Sequence, residues 1–561
     1  MPTFFSLSRS AQERLNAFSP RLRALAESAM NYHSLLTPGA AIEYLFYMGQ
    51  ARQYPRLTDT STVSGELTSD AGLHPFLKVR AISSSTGSLA QTGKLRQQST
   101  SHAVRHILLT PDQATDADAR AIARGSLPKR VYRICEEHAP ISFDYVREAL
   151  RHVAEHDMRK RIARIHEDSH PDSAHMQSSQ VEANSHISAH DAKRQGAVVI
   201  AAHWLQPGGA ERWAMETVRL VSQTGMVPIV ITDNDSHQLW ITRPELRSAL
   251  VLCLSLPLTS GAEGMSLMDS LYGQFDIRAI LIHHNQWMYD QLPRVKQRHP
   301  NTMVVDSLHI LEYRHRGGYP CQAVRYDPYI DIHHVISPQL RDWLVRAQGI
   351  DAGKVVLAPL MGMTTGATRK EVKPKAEDNR LCVAFVGRVT RQKRPEVFIR
   401  ISALLEHAQP GAFRFLMHGN GDLDDKVDQE ITRAGLTSVV ERRDISIPAS
   451  QTYKEADVLL VTSDNEGLTL TTMEAISAGI PTLSATVGAQ STLIPKQGLL
   501  PRRSADLARA ATRVLKHLLV DESDRASLWQ AERGRLDEFA RLTTANEYYE
   551  TMLKHEASHS S

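Results

Sequence analysis

From residue 196 onward, short unbroken apolar runs alternate with stretches of helical period. AVVIAAHWL (from Ala197), VPIVITD (from Val227), VLCLSLP (from Val251), AILIHH (from Ala279) and NTMVVDSLH (from Asn301) form one series. The series restarts with LCVAFVG (from Leu381), RFLMHG (from Arg414), VLLVTSD (from Val458) and PTLSA (from Pro481). Runs that are apolar throughout, not alternating, suit parallel strands covered by helices on both faces. Two successive β/α series predict two doubly wound α/β domains, over residues 196–350 and 351–561. Ligands in such sheets bind beyond the carboxyl ends of the strands, so the cleft between the domains is the expected site.

Residues 1–195 have a different texture. Residues 58–102 are rich in Ser, Thr, Gly and Gln, and residues 168–195 are polar throughout. Both stretches are too poor in apolar residues to pack and are expected as linkers. His170, His175, His186 and His190 lie in the second, with no helical spacing that would gather them around a metal. Between the two stretches, ISFDYVREALRHVAEHDMRKRIARIHED (from Ile141) predicts a charged helix. RLNAFSPRLRALAESAM (from Arg14) is weakly amphipathic and basic, which suits a packed helix better than a membrane-docking one. The expectation is an N-terminal extension of helical pieces and partly disordered linkers, separable enough that a chain starting near Arg194 still folds.

Composition narrows the function. Lys and Arg number 65 against 62 Asp and Glu, a net charge of +3, far from the basic excess of a nucleic-acid binder. Cys135, Cys253, Cys321 and Cys382 are scattered without a CxxC pair, so neither a zinc knuckle nor a disulfide framework is expected. The N-terminus reads as no signal peptide, and no apolar run has the length of a membrane span. A cytoplasmic protein is expected, with peripheral contact at the inner face of the cell membrane as its one membrane role.

The richest stretch is ADVLLVTSDNEGLTLTTMEAISAGIPTLSA, from Ala456. A buried strand is expected to end at residues 462–464, with Glu466 and Gly467 in the loop. A helix then starts near Leu468 and runs through Glu474, stopped by Gly479 and Pro481. Its free N–H groups, at Leu468, Thr469 and Leu470, suit sugar hydroxyls or phosphate oxygens. A carboxylate there is a bidentate acceptor for two ribose hydroxyls. The competing reading makes Glu474 a helix-capping or salt-bridging residue and Glu466 merely exposed.

This stretch resembles the E-x7-E signature of the retaining glycosyltransferases of family 4, also called glycosyl transferases group 1, here Glu466 to Glu474. The segment from Val383 is similar to that family's strand and following loop at Gly387, Arg388 and Lys393. FLMHGNGDL resembles its glycine turn at Gly419 and Gly421, and VGAQSTLI (from Val487) a later loop. QPGGAERWAMETVRLV (from Gln206) matches the first loop and helix at Gly208, Gly209, Ala210 and Glu211, and the segment from His333 resembles the crossover. The resemblance implies the GT-B fold, two Rossmann-like domains facing across a cleft, with the last helix packing back on the acceptor domain. It implies a hexosyltransferase-like enzyme that moves a sugar from a nucleotide-diphosphate sugar to a glycan or lipid-linked acceptor with retention. The family's roles point to bacterial surface polysaccharide, lipopolysaccharide or glycolipid synthesis. Glu474 would hold the ribose and Glu466 the donor sugar. Arg388 and Lys393 would bind the diphosphate and stabilise the leaving nucleotide. Gly208, Gly209, Gly387, Gly419, Gly467, Leu468 and Thr469 would line the donor, and His309 the reaction centre, with His283 and His284 as second choices. No cofactor and no metal are implied.

Three departures stand out. APLMGM (358–363) replaces a Pro-Asn-Gly turn, VGAQST lacks the usual Gly-Gly and Glu, and Thr462 replaces a Pro. Asp233-Asn234-Asp235 and the acidic run at Asp422, Asp424 and Asp425 raise a rival, a metal-dependent single-domain transferase, against which the two β/α series count. The other rival is a non-catalytic scaffold or nucleotide-binding assembly protein on the same fold.

Overall fold

The computed structural model describes residues 2–49, 75–85, 103–112, 134–135, 139–168, 194–254, 261–313, 317–363, 369–375 and 379–558. The histidines of the second polar stretch lie outside them, as does most of the first polar stretch.

The N-terminal region holds the expected helical pieces and also a four-stranded sheet, in the order β1 (Phe5–Leu7), β3 (Leu77–Ser83), β2 (Ala41–Met48), β4 (Ala103–Leu109). The β2 and β4 pair is parallel and the other two pairs are antiparallel. Helix α1 (Arg9–Asn16) precedes α2 (Pro20–Leu36), whose first turn is set by Pro20 and by the Ser19 hydroxyl accepting from Leu22 N–H. The 29-residue α3 spans Pro140–Asp168.

The first Rossmann-like unit alternates β5 (Gly196–Ala202), α4 (Gly209–Gln223), β6 (Val227–Thr232), β7 (Leu250–Cys253), α5 (Gly261–Gln274), β8 (Asp276–His283), α6 (Gln286–Arg298), β9 (Met303–Leu308), α7 (Gly318–Tyr326), β10 (Ile332–Val335), α8 (Pro338–Asp342) and β11 (Val355–Leu357). Its seven strands are all parallel, in the order β11-β10-β9-β8-β5-β6-β7. The crossover strand β11 pairs with β10, His333 opposite Val355, so this unit runs past the expected boundary at 350.

The second unit has β12 (Leu381–Val386), α9 (Pro395–Ala408), β13 (Phe413–His418), α10 (Asp424–Arg433), β14 (Val440–Arg443), α11 (Ala449–Glu455), β15 (Val458–Val461), α12 (Leu470–Ser477), β16 (Thr482–Ala485), β17 (Leu499–Leu500) and α13 (Ser504–Val520). Its six parallel strands run β14-β13-β12-β15-β16-β17. In both sheets the chain builds outward from a first strand, then returns to its other side. The reversals fall between β5 and β8 and between β12 and β15, where diverging loops open a crevice at the strands' carboxyl ends.

After α13 the chain forms α14 (Glu522–Phe539) and α15 (Ala545–Ser558). Helix α15 crosses back and packs on α4. Tyr549 meets the fully buried Trp213 edge to face at 5.0 Å, and its hydroxyl lies 3.3 Å from His334 Nδ1. Emptying a site like that of Trp213 costs about 3–5 kcal/mol.

The N-terminal region is not a detachable module. Helix α2 is buried between the small sheet and the first unit, and its apolar side chains share that unit's core. Ser28 Oγ accepts from Cys253 N–H at 2.8 Å, Ser270 Oγ donates to Leu35 O at 2.6 Å and Arg21 Nε to His237 O at 2.7 Å. The weakly amphipathic segment is therefore a packed helix. No described helix is long and apolar enough to cross a membrane.

Candidate active site

At the second unit's reversal, the loop after β12 is fastened to the loop after β15 residue by residue. Arg394 Nε donates to Thr462 O at 2.6 Å and its Nη2 to Ser463 O at 2.9 Å. Asp464 N–H donates to Gln392 O at 2.8 Å, and Gln392 Nε2 to Asn465 O at 2.8 Å. Lys393 Nζ then reaches Glu466 Oε1 at 2.6 Å. Arg394 is fully buried, and it fixes the loop from beneath.

The glycines lie where chains press together. Gly387 (φ +154°) follows β12 and Gly419 (φ +129°) follows β13, in backbone conformations that L side chains rarely adopt. A Cβ on Gly419 would stand 2.1 Å from Gly387 O. Arg388, between these turns, is exposed. On the far side of the loop, a Cβ on Gly467 would stand 2.0 Å from the His309 carbonyl, so the two units touch at this point. Asn465 Nδ2 also donates across to Leu311 O at 3.1 Å.

Helix α12 starts at Leu470, close to where the sequence places its start. No side chain caps it, because the hydroxyl of its N-cap, Thr469, is engaged with Thr472 Oγ1 at 2.6 Å and accepts from Gln490 Nε2 at 3.2 Å. Its first N–H groups keep their affinity for an anionic oxygen. The Leu468 side chain is buried in the apolar core. Glu474, one turn into α12, has both carboxylate oxygens occupied. Tyr453 OH donates to Oε2 at 3.0 Å, and Arg212 Nη1, from α4 of the first unit, to Oε1 at 3.2 Å. Arg212 Nη2 also donates to Met363 O at 2.8 Å.

Gly208 and Gly209 open α4 in the first unit. A Cβ on Gly208 would stand 1.9 Å from Glu211 Oε2, so the carboxylate folds back over the helix start. Glu211 Oε1 accepts from Trp204 Nε1 at 2.5 Å and lies 3.2 Å from His203 Nε2. Burial would raise its carboxyl. The hydrogen bond and charge of His203, the charge of Arg388 and the Trp204 N–H outweigh burial and hold it at about 2.

Around the β5/β8 reversal sit several buried imidazoles. His284, in a left-handed conformation (φ +60°), stacks on Tyr319 at 4.8 Å and meets His309 at 5.1 Å and His203 at 5.9 Å. His309 Nε2 is 2.9 Å from Ser307 Oγ, which is 2.8 Å from His334 Nδ1. Burial, seconded by neighbouring imidazoles, lowers His283 and His284 to about 3 and His309 well below its ordinary value, so these rings are neutral. Beside them Asp233 Oδ2 accepts from Trp287 N–H at 3.1 Å, and burial pushes this carboxyl up to about 6. Asp233 Oδ1, His203 Nδ1, His284 Nε2 and Trp287 Nε1 are buried and have no hydrogen-bond partner among the described residues.

The structure thus gathers Lys393, Glu466, Gly467 and His309 at the contact of the two units, with Gly387 and Arg388 on the adjoining loop. Glu474 lies one helical turn away. Sequence reasoning missed Arg212 and Tyr453, which occupy Glu474. It also missed the His203–Trp204 clasp on Glu211, whose signal was the Ala-His-Trp directly after a strand. Asp424, in the second acidic run, accepts from Arg442 Nη2 at 2.6 Å and Gly421 N–H at 2.9 Å, as a turn residue does. Among the described residues, one trio has metal-ligand spacing, His517, Asp521 and Asp524. It lies at the junction of α13 and α14, where Asp521 caps α14.

Residues 380–517 match the model of the family described as glycosyl transferases group 1. A D-inositol 3-phosphate glycosyltransferase of Nocardia farcinica is 36% identical over 140 residues, 23% of this chain and 31% of that protein. A Corynebacterium diphtheriae protein of the same name is 28% identical over 241 residues, 38% of this chain and 56% of its own. The alignments with three such relatives span 31%, 41% and 38% of their length. Sucrose-phosphate synthase from Thermosynechococcus elongatus superposes on 66% of this chain and 100% of its own, with TM-score 0.50 at 19% identity, which shows the fold.

Proposed function

Since the fold is GT-B and residues 380–517 carry the glycosyl transferases group 1 match, we propose that the protein is a glycosyltransferase moving a hexose-type sugar from a nucleotide-diphosphate sugar to an acceptor hydroxyl. The observation that carries the reading is the Lys393–Glu466 pair at 2.6 Å, at a strand-order reversal and against the opposite unit. The nucleotide lies along the second unit with its ribose on Glu474, displacing Arg212. The diphosphate lies between Arg388, Lys393 and the uncapped start of α12. Charge grows on the leaving phosphate as the glycosidic bond breaks, and two cations with a helix N-terminus supply the stabilisation a metal gives elsewhere. We take the reaction as metal-independent and retaining, the leaving phosphate staying on the face that the acceptor hydroxyl enters.

The acceptor hydroxyl belongs to the first unit's crevice. There Asp233, His203, His284 and Trp287 offer polar atoms that the described residues leave unpaired, which suits a polyhydroxylated molecule better than an apolar one. A glycan or lipid-linked glycan at the inner face of a bacterial membrane fits, and the relatives' name adds a polyol phosphate. A second reading, a non-catalytic nucleotide-binding scaffold, is favoured by one observation: Glu474 already has both oxygens filled. A thermal-shift panel of UDP, GDP, ADP and TDP sugars tests the proposal. One donor at a hundred times its Kd should stabilise the protein by about 2.7 kcal/mol and be slowly consumed by hydrolysis, water taking the place of the acceptor hydroxyl. Stabilisation without consumption supports the scaffold, and no shift from any of them contradicts both.

A further inference from the structure

Helix α3 belongs to neither Rossmann-like unit, yet it touches both. Its first turns dock on the second unit. Ile141 packs on that unit's apolar core, and Asp144 Oδ2 accepts from Ser504 N–H at 2.7 Å, at the start of α13, where no side chain of the helix's own N-cap does so. Its later turns dock on the first unit. Arg151 lies over the Tyr313 ring at 5.8 Å, and Met158 and Ile162 are buried with Cys321. A helix of 29 residues is about 43 Å long, enough to span both contacts.

Between those contacts the helix reaches the loop that carries Glu466. Arg147, 3% exposed, places Nη2 3.4 Å from Asp464 Oδ2. The other oxygen of Asp464 lies 3.4 Å from Arg502 Nη2, whose Nε is 3.8 Å from Glu148 Oε2 on α3. Asp464 is thus held between two guanidiniums, one on α3 and one tied to it, two residues before Glu466. Its backbone N–H donates to Gln392 O, and Gln392 Nε2 donates to Asn465 O, so Asp464, between its two guanidiniums, belongs to the same bonded loop that carries Glu466. A guanidinium suits this position because its planar fork fixes direction as well as charge.

We propose that Arg147 is a positioning residue for the proposed transfer reaction: α3, docked on both units, holds Asp464, and through it Glu466, in register with the first unit. The inference rests on the donor site proposed above. It predicts a selective defect, because the ribose contact at Glu474 is on another element.

The test uses the full chain and the nucleoside diphosphate and donor sugar picked out by the panel. Arg147→Met should lower kcat by about tenfold to a hundredfold, the scale of a misplacement transmitted from outside the chemistry. Affinity for the free nucleoside diphosphate should change less than threefold (a bound set for this test by reading Glu474 as remote). Arg147→Lys should recover part of the kcat, and Arg147→Met with Asp464→Asn should lose no more than the worse single variant. If Arg147→Met does not fold, the isosteric Asp464→Asn carries the same expectation. Wild-type kcat in the folded variant, or equal losses of kcat and diphosphate affinity, would overturn the assignment. A wild-type protein that binds no nucleotide sugar would instead sink the donor site itself.

Discussion

Arg212 of the first unit spans the cleft to Glu474 of the second, with Nη1 and Oε1 3.2 Å apart. This ion pair occupies the carboxylate that the resemblance assigns to the ribose. It is half-exposed on the Arg212 side, so it is worth little in itself and can yield to a ligand. Glu474→Ala is expected to weaken nucleotide binding by about 1–3 kcal/mol. A 2′-deoxyribose donor should bind that variant almost as well as the ribose donor. Arg212→Ala should leave affinity unchanged or raise it, by removing the competing cation. Titration calorimetry on both variants decides. Equal weakening by the two would make the pair a fixture of the fold and not a ribose site.

Lys393 and Arg388 are expected to act on turnover more than on binding. Lys393→Ala or Arg388→Ala should lower kcat by about a hundredfold or more, the scale of losing one stabiliser of transition-state charge. Stopped assays at saturating donor read this out. A rise in KM with kcat preserved would mean that they serve uniform binding.

The two-unit fold was legible because most of its strands are unbroken apolar runs; the short β10, β11, β14 and β17 were not among the runs read as strands. The placement of Glu466 and Glu474 was legible because a strand end, a loop and a helix start follow one another there, whereas Lys393 belongs to a separate strand-and-loop segment 73 residues before Glu466. Arg212 and Arg147 were not. Their partners lie 262 and 317 residues away, and no local pattern encodes a contact across a cleft. The small N-terminal sheet escaped notice because β2 and β3 are separated by a polar stretch that reads as linker.

The burial of α2 makes a definite prediction. A chain starting near Arg194 loses the Ser28, Leu35 and Arg21 contacts and uncovers the β7 and α5 face. It should be insoluble or melt well below the full chain. A cooperative melting transition at the full-length Tm would show that the N-terminal region is an accessory after all.

His333 sets a pH dependence of stability. Its ring is fully buried, with Nδ1 2.9 Å from Asp306 Oδ1 and Nε2 3.0 Å from Asp327 Oδ1. Burial opposes its charge, but the two carboxylates outweigh burial and raise it to about 9. A histidine whose folded value lies above its unfolded one, 6.5, stabilises fully below pH 6.5. That contribution, on the order of 3 kcal/mol, fades as pH rises toward 9. Urea unfolding from pH 6 to 9.5 should show the loss, and His333→Asn should flatten the profile. A wild-type profile that is flat or rises with pH would mean that the ring is neutral in the fold.

The most direct test of the central claim is release of nucleoside diphosphate from the donor sugar in excess EDTA. Release is expected at the full rate, lowered about a hundredfold or more by Lys393→Ala and independent of added Mg²⁺ or Mn²⁺, since two side-chain cations and a helix start carry the leaving charge. Release that stops in EDTA, returns with a divalent ion and requires Asp233 or Asp235 would contradict it.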